Sequence, residues 1–287
     1  MSESREQRRL PVVLSIAGSD SGGGAGIQAD LKTFHAFGTF GSTAITAITA
    51  QNTRGVHGIH PIPLEMVRAQ IRAVAEDLPP AACKSGMLAT AELVRTVAAE
   101  LREHHLRNYV LDPLMVATSG DRLLDADAEQ TIVEELLPLA TLVTPNLDEA
   151  EILVGFPVRD TEAMRRAAAV LVELGAGAAL VKGGHLEQEE LVDVLYDGAE
   201  WREWRRSRLE SRNTHGTGCT LSAAVAAGLA HGRPLPDAVA DALDFVRRSM
   251  ERAPDLGSGH GPLNHLVPAR EEQPQASVLQ RQVTRIR

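Results

Sequence analysis

Cysteine is scarce in this sequence: Cys83 and Cys219 are the two thiols in 287 residues. Two cysteines supply neither a disulfide framework nor a zinc set, and no Cys-x-x-Cys or His-Glu-x-x-His occurs. No run approaches the roughly 18 apolar residues of a membrane span. Positive charge is also lacking. The net charge is −9 and the pI is near 5.6, which argues against a general nucleic-acid or anionic-membrane surface. A small anionic ligand stays open, because backbone donors can hold one. Lysine occurs three times, at 32, 84 and 182, and the remaining basic residues are arginines. No Gly-Lys dipeptide exists, so there is no Walker A phosphate loop. The first ten residues, MSESREQRRL, have no apolar stretch behind their arginines, and the expected location is cytoplasmic.

What is present is ordinary for a globular protein: 44% hydrophobic and 23% charged residues, enough for a sizeable core. Apolar runs at 11–18, 42–52, 81–88, 108–115, 141–146 and 177–184 read as strands. Helical spacing fills the segments between, at 25–38, 64–78, 90–106, 126–140, 147–155 and 161–175. That alternation predicts an α/β fold, a single domain with a mostly parallel central sheet covered by helices on both faces. Residues 191–206 break the rhythm as a small β-hairpin around Asp197-Gly198. Two helices close the domain at 216–231 and 235–252. The expected boundaries are an N-terminal tail at 1–10, one domain at 11–266 and a C-terminal tail at 267–287.

In a parallel sheet, ligands bind outside the carboxyl ends of the strands. The stretch GSDSGGGAG (18–26) follows the first strand. Asp20-Ser21-Gly22-Gly23 matches the surroundings of a serine-protease nucleophile, but neither an all-β pattern nor a nucleophile elbow accompanies it. A dinucleotide fingerprint needs an acidic residue about 20 positions on, and the second strand ends at Gln51 instead. A loop that brings backbone close to a ligand accounts better for five glycines in nine residues.

The stretch HGTGC (215–219) opens a helix of small residues. Consecutive amides at a helix N-terminus form an anion hole, and Gly216, Thr217 and Gly218 would supply them. The same field is expected to lower the pKa of Cys219. Cys83, in an apolar strand, reads as structural. In TPNLDEAE (144–151), Asn146 and Glu149 are three apart and could share a face toward Mg²⁺, with Asp112 joining from another strand end. Read alone, Asn146 is as well explained as a helix cap. Lys182 ends a strand before two glycines, where its charge could meet phosphate. The His104-His105 pair reads as solvated surface.

Taken in order, GSDSGGGAGIQAD, TAITAQNT, SGML, VLDPLM, TPNLDEAE, VKGGH, DVLYDG and HGTGCTLSAAVAAGL resemble the hydroxymethylpyrimidine/phosphomethylpyrimidine kinases of thiamine biosynthesis, within the ribokinase-like superfamily. The match runs from about residue 11 to about residue 265. The resemblance implies a ribokinase-like fold and ATP-dependent phosphorylation of a pyrimidine hydroxymethyl group, then of the monophosphate. It implies a pyrimidine pocket of Gly18, Ala25, Asp30, Gln51, Met87 and Leu114; the family commonly carries valine at the last position. Asp112, Asn146, Glu149 and Lys182 would serve Mg-ATP, with Asp112 and Glu149 toward the metal. Cys219 would stand where sugar kinases carry a catalytic aspartate and would take the hydroxyl proton beside the 216–218 amides. The implied assembly is a homodimer. Rival readings are a pyridoxal or pyridoxine kinase, an enzyme serving both rings, a cysteine hydrolase built on Cys219, and a non-catalytic pyrimidine sensor.

Overall fold

The computed structural model describes residues 10–115, 126–184 and 190–270. Of the expected tails at 1–10 and 267–287, residues 1–9 and 271–287 lie outside the described residues. The elements follow one another as β1 (Val12–Asp20), α1 (Gly26–Ala36), β2 (Phe40–Asn52), β3 (Gly55–Pro61), α2 (Leu64–Asp77), β4 (Ala82–Ser85), α3 (Ala91–Glu103), β5 (Tyr109–Leu111), α4 (Ala126–Thr131), β6 (Leu142–Val143), α5 (Leu147–Val154), α6 (Thr161–Glu173), β7 (Ala179–Val181), β8 (Glu190–Tyr196), β9 (Trp201–Ser207), α7 (Thr217–Ala230) and α8 (Leu235–Glu251). The strands form one nine-stranded sheet in the order β3-β2-β1-β4-β5-β6-β7-β8-β9. The strands from β2 to β7 run parallel; β3, β8 and β9 are antiparallel to the strands they join.

Side chains alternate across the short central strands, as a pleat requires. In β5, Tyr109 and Leu111 enter the core under α2 to α6, while Val110 enters the core under α1, α7 and α8. The sheet is therefore covered on both faces. The α7 helix lies deepest: every residue from Cys219 to Leu229 is buried, and none carries a charge. Its small side chains let α8 approach so closely that a Cβ on Gly228 would sit 2.8 Å from that of Ala238.

Four sequence expectations need correction. The sheet carries two hairpins, because β3 folds back on β2. The segment expected as one helix at 126–140 is helical as far as Leu139 but α-helical only to Thr131; it then widens into a π-helix at Ile132–Leu136 and tightens into a 3₁₀ turn at Leu137–Leu139. Pro138 lacks an amide proton and cannot continue the α-helical ladder there. His104 is mostly covered, 3.2 Å from the fully buried Glu100. At the other end, the packed chain continues beyond residue 266: Val267 is buried, and Arg248 donates to the carbonyls of Pro268 and Ala269.

Candidate active site

The chain leaves β1 toward β2 on one side, then returns to place β4 on the other. Strand order reverses at this point, which opens a crevice at the carboxyl ends. A pocket occupies it. Gly18 from β1, Gln51 from β2, Met87 after β4, Leu114 after β5 and the opening turn of α7 all line it. Ala47, Met87 and Leu114 pack together as an apolar wall. Val56 contributes from the unforeseen strand β3. Of the residues implied for a pyrimidine, Gly18, Ala25, Gln51, Met87 and Leu114 reach the pocket, as do Gly216, Thr217, Gly218 and Cys219.

Two loops meet at the pocket, and backbone shape decides how closely. Gly26 begins α1 at φ 55°, and a Cβ there would lie 2.4 Å from the Gly18 carbonyl. Gly216 caps α7 at φ 83°, and a Cβ there would lie 1.9 Å from the Gly24 carbonyl. Both contacts demand glycine. The glycine loop is organised by Asp20, whose carboxylate accepts the amides of Gly22, Gly24 and Ala25 at 2.8–3.0 Å. The same carboxylate meets His215 Nε2 at 2.8 Å. Burial would raise the Asp20 pKa, but the bond to His215 and the loop amides outweigh it and hold the carboxyl below its usual range. His215 thus faces Asp20 from directly before the turn, and neither residue is among those expected from sequence to form the site. The signal in the sequence is an aspartate set among glycines, whose side chain readily takes local amides. The far side of the α7 turn is tied down by Thr220 Oγ1, 2.9 Å from the buried His265. Burial, with Lys32 nearby, lowers the His265 pKa to about 4.

Cys219 sits at the pocket, 6% exposed. The expectation that the helix N-terminus lowers its pKa is overturned: burial pushes the thiol up to about 12. Lys84 and the Gly26 amide favour the thiolate, while Asp30 and Asp112 oppose it, and the net result is a protonated sulfur. Cys83 is buried as expected, and burial takes its thiol to about 12 as well. Lys84 is itself fully buried, 3.1 Å from both oxygens of Asp30. Burial alone would lower its pKa; Asp30, with Cys219 and Asp112, reverses this and keeps the ammonium charged. Asp30 also accepts Ser15 Oγ at 2.5 Å and is fully buried. Its oxygens are committed inside the protein, so the expected direct contact between Asp30 and a ring in the pocket is not what this geometry offers.

Asp112, Glu149 and Lys182 form a second cluster behind the α7 turn. Lys182 Nζ is 3.5 Å from Asp112 and 4.0 Å from Glu149. A Cβ on Gly218 would stand 3.4 Å from the same ammonium and 3.7 Å from Asp112. The turn and this cluster are therefore neighbours. Asn146 takes the helix-cap position that its sequence context also allows. It caps α5: its Oδ1 accepts the Glu149 amide at 2.9 Å, and Glu149 Oε2 accepts the Asn146 amide at 2.8 Å. This is a capping box, and it fixes both side chains. Burial raises the Glu149 pKa to about 7; Lys182 pulls it down, and Asp112 pushes it up. Two carboxylates facing one ammonium leave an excess of negative charge, which suits a divalent cation held mainly by water and phosphate. Among the described residues, no group of three or more His, Cys, Asp or Glu side chains could hold a metal by itself. No helix among them is long and apolar enough to cross a membrane.

Known proteins resemble this chain in sequence and fold. The phosphomethylpyrimidine kinase family model matches residues 20–264. The thiamine biosynthesis bifunctional protein ThiED of Geobacter sulfurreducens is 50% identical over 92% of this chain, which spans 55% of that longer protein. The hydroxymethylpyrimidine/phosphomethylpyrimidine kinase of Rhizobium meliloti is 51% identical, over 88% of this chain and 96% of its own length. Among solved structures, an ADP complex of Bacillus subtilis pyridoxal kinase superposes with a TM-score of 0.83 at 38% identity, covering 89% of this chain and 97% of that one.

Proposed function

This chain belongs to the phosphomethylpyrimidine kinase family, and on that premise we propose how it phosphorylates its substrate. The reaction is ATP-dependent transfer to the hydroxymethyl group of 4-amino-5-hydroxymethyl-2-methylpyrimidine, then to the resulting monophosphate, for thiamine biosynthesis. The observation that carries this reading is a pocket and a charged cluster that meet at one helix-opening turn. A pocket with an apolar wall and the Gln51 carboxamide ends at the amides of Gly216, Thr217 and Gly218, and the Asp112, Glu149 and Lys182 cluster lies next to that turn.

The ring lies against Met87 and Leu114, and Gln51 pairs with adjacent donor and acceptor atoms of the aminopyrimidine. Asp30 serves the pocket indirectly, through Lys84 beneath it. Magnesium bound with ATP would neutralise phosphate charge, and Asp112 and Glu149 are the residues to hold its waters. Lys182 meets a phosphate oxygen, and the 216–218 amides hold the moving phosphoryl group. Transfer of this kind passes through a loose transition state with little covalent work for the protein. Cys219 therefore acts with its proton in place. Its sulfur accepts the substrate O–H and aims the oxygen, and the proton leaves late, to the newly formed phosphate. A cysteine hydrolase is disfavoured by the same protonated thiol.

A homodimer fits the open edge of the sheet. β3 is an edge strand exposed along most of its length, and such edges pair with other chains unless covered. Sedimentation at micromolar concentration tests it, and a monomer there removes the dimer from the account.

The second substrate reading is pyridoxal, because a pyridoxal kinase shares this fold. Side-by-side kcat/KM values for hydroxymethylpyrimidine and pyridoxal decide. The pyrimidine is expected to exceed pyridoxal by at least tenfold. A reversed ratio replaces the proposed substrate.

A further inference from the structure

Asp20 and His215 are 195 residues apart in sequence, yet they join the two loops of the site. Asp20 spends its oxygens on one loop and one imidazole. Oδ1 accepts Gly22, while Oδ2 accepts Gly24, Ala25 and the His215 ring. The His215 ring packs so closely against the loop that a Cβ on Gly24 would be 2.5 Å from its Cδ2. The backbone of His215 is pinned from the other side, where its amide donates to the Gly261 carbonyl at 3.2 Å. The next residue is Gly216, whose α-carbon presses on the Gly24 carbonyl. Ala25 on one side of this contact and Gly216 on the other both line the pocket.

Resting on the kinase reading, we propose that Asp20 and His215 are a positioning pair for phosphoryl transfer. Their hydrogen bond locks the Gly24-Ala25 wall to the Gly216 turn, so the acceptor hydroxyl and the transferring phosphoryl group are presented from one rigid surface. Both side chains border the pocket, yet the Asp20 oxygens and His215 Nε2 are already engaged by the loop and by each other. The pair acts through the two loops, and its loss lets them part while each still binds its own ligand. The expected signature is a fall in kcat larger than any rise in either KM, because alignment, not ground-state binding, is what the pair controls.

The test uses the full chain with His215→Ala, His215→Gln and Asp20→Asn. Glutamine places an N–H about as far from the backbone as Nε2 and can still donate to Asp20. His215→Ala is expected to lower kcat by about 10- to 100-fold, with the KM values for pyrimidine and Mg-ATP within about threefold. His215→Gln is expected to recover most of that loss, and Asp20→Asn to resemble His215→Ala. Hydrogen exchange of peptides spanning 18–26 and 213–219 supplies a readout independent of the reaction. Both peptides should lose protection together in His215→Ala and regain it in His215→Gln. Wild-type turnover of the pyrimidine separates the two layers: its absence sinks the kinase reading, while the exchange data still judge the clamp. A His215→Ala kcat within about threefold of wild type overturns the proposal. So does a glutamine variant as impaired as alanine, or exchange confined to one of the two peptides.

Discussion

The most exacting consequence of the site concerns the ionisation of Cys219. Its position at the start of α7 invites a reactive thiolate, but the structure buries the sulfur and takes its pKa to about 12. At a pH of about 7.5, a thiol with that pKa is ionised in roughly 3 molecules per 100,000, against about one in ten for a free cysteine near 8.5. Alkylation follows the thiolate, so iodoacetamide should modify Cys219 about 3,000 times more slowly than it modifies a small free thiol, before any loss from restricted access. Cys83, with the same elevation, should be equally silent. The assay is a time course over pH 6 to 10 read by peptide mass spectrometry, which separates the two cysteines. The rate on Cys219 should rise about tenfold per pH unit with no plateau in that range. Kinetics carry the same logic. Removing a weak sulfur hydrogen bond in Cys219→Ala should slow the first phosphorylation by about 2- to 10-fold, whereas removing a true general base would cost about 100- to 10,000-fold. A plateau in alkylation below pH 9, or a loss of the larger size, would refute the burial reasoning and restore the thiolate.

Three further outcomes follow from the surrounding groups. The Glu149 carboxyl is raised to about 7, so its protonated form competes with a cation as pH falls; the KM for Mg-ATP should climb below pH 7, and Glu149→Gln should bind weakly with no such slope. Gln51→Ala should raise the pyrimidine KM about tenfold while leaving the ATP KM unchanged, and an unmoved pyrimidine KM would take Gln51 out of the pocket. Lys84→Met strands the fully buried Asp30, which typically costs about 3–5 kcal/mol, or on the order of 10 °C in Tm for a domain of this size. Adding Asp30→Leu should recover part of that loss, and a single variant melting within 2 °C of wild type would contradict the pairing.

Much of this architecture was legible because local chemistry and global placement agree. The β1 strand is an apolar run, α7 is an uncharged stretch of small residues behind a glycine turn, and both go to the centre. The β3 strand was not legible. Its sequence, GVHGIHP, holds two glycines, two histidines and a proline, and the strand is exposed on both faces, so no alternation marks it. Pairing with β2 decides its shape. Within the site, the glycine loops could be read because backbone demands are local. The partners of buried charges could not. Lys84 finds Asp30 across 54 residues and His215 finds Asp20 across 195, and no short-range pattern encodes either meeting. The fate of the Cys219 thiol was misjudged for a related reason: a helix N-terminus is visible in sequence, whereas the burial that outweighs it is a property of the whole fold.

Phosphorus NMR of the purified chain with Mg-ATP and hydroxymethylpyrimidine tests the central claim most directly. The account predicts ADP formation with a phosphate monoester resonance that gives way to a diphosphate, and neither product without the pyrimidine. ATP left intact in the presence of the pyrimidine, or hydrolysed to free phosphate with the hydroxymethyl group untouched, would contradict it.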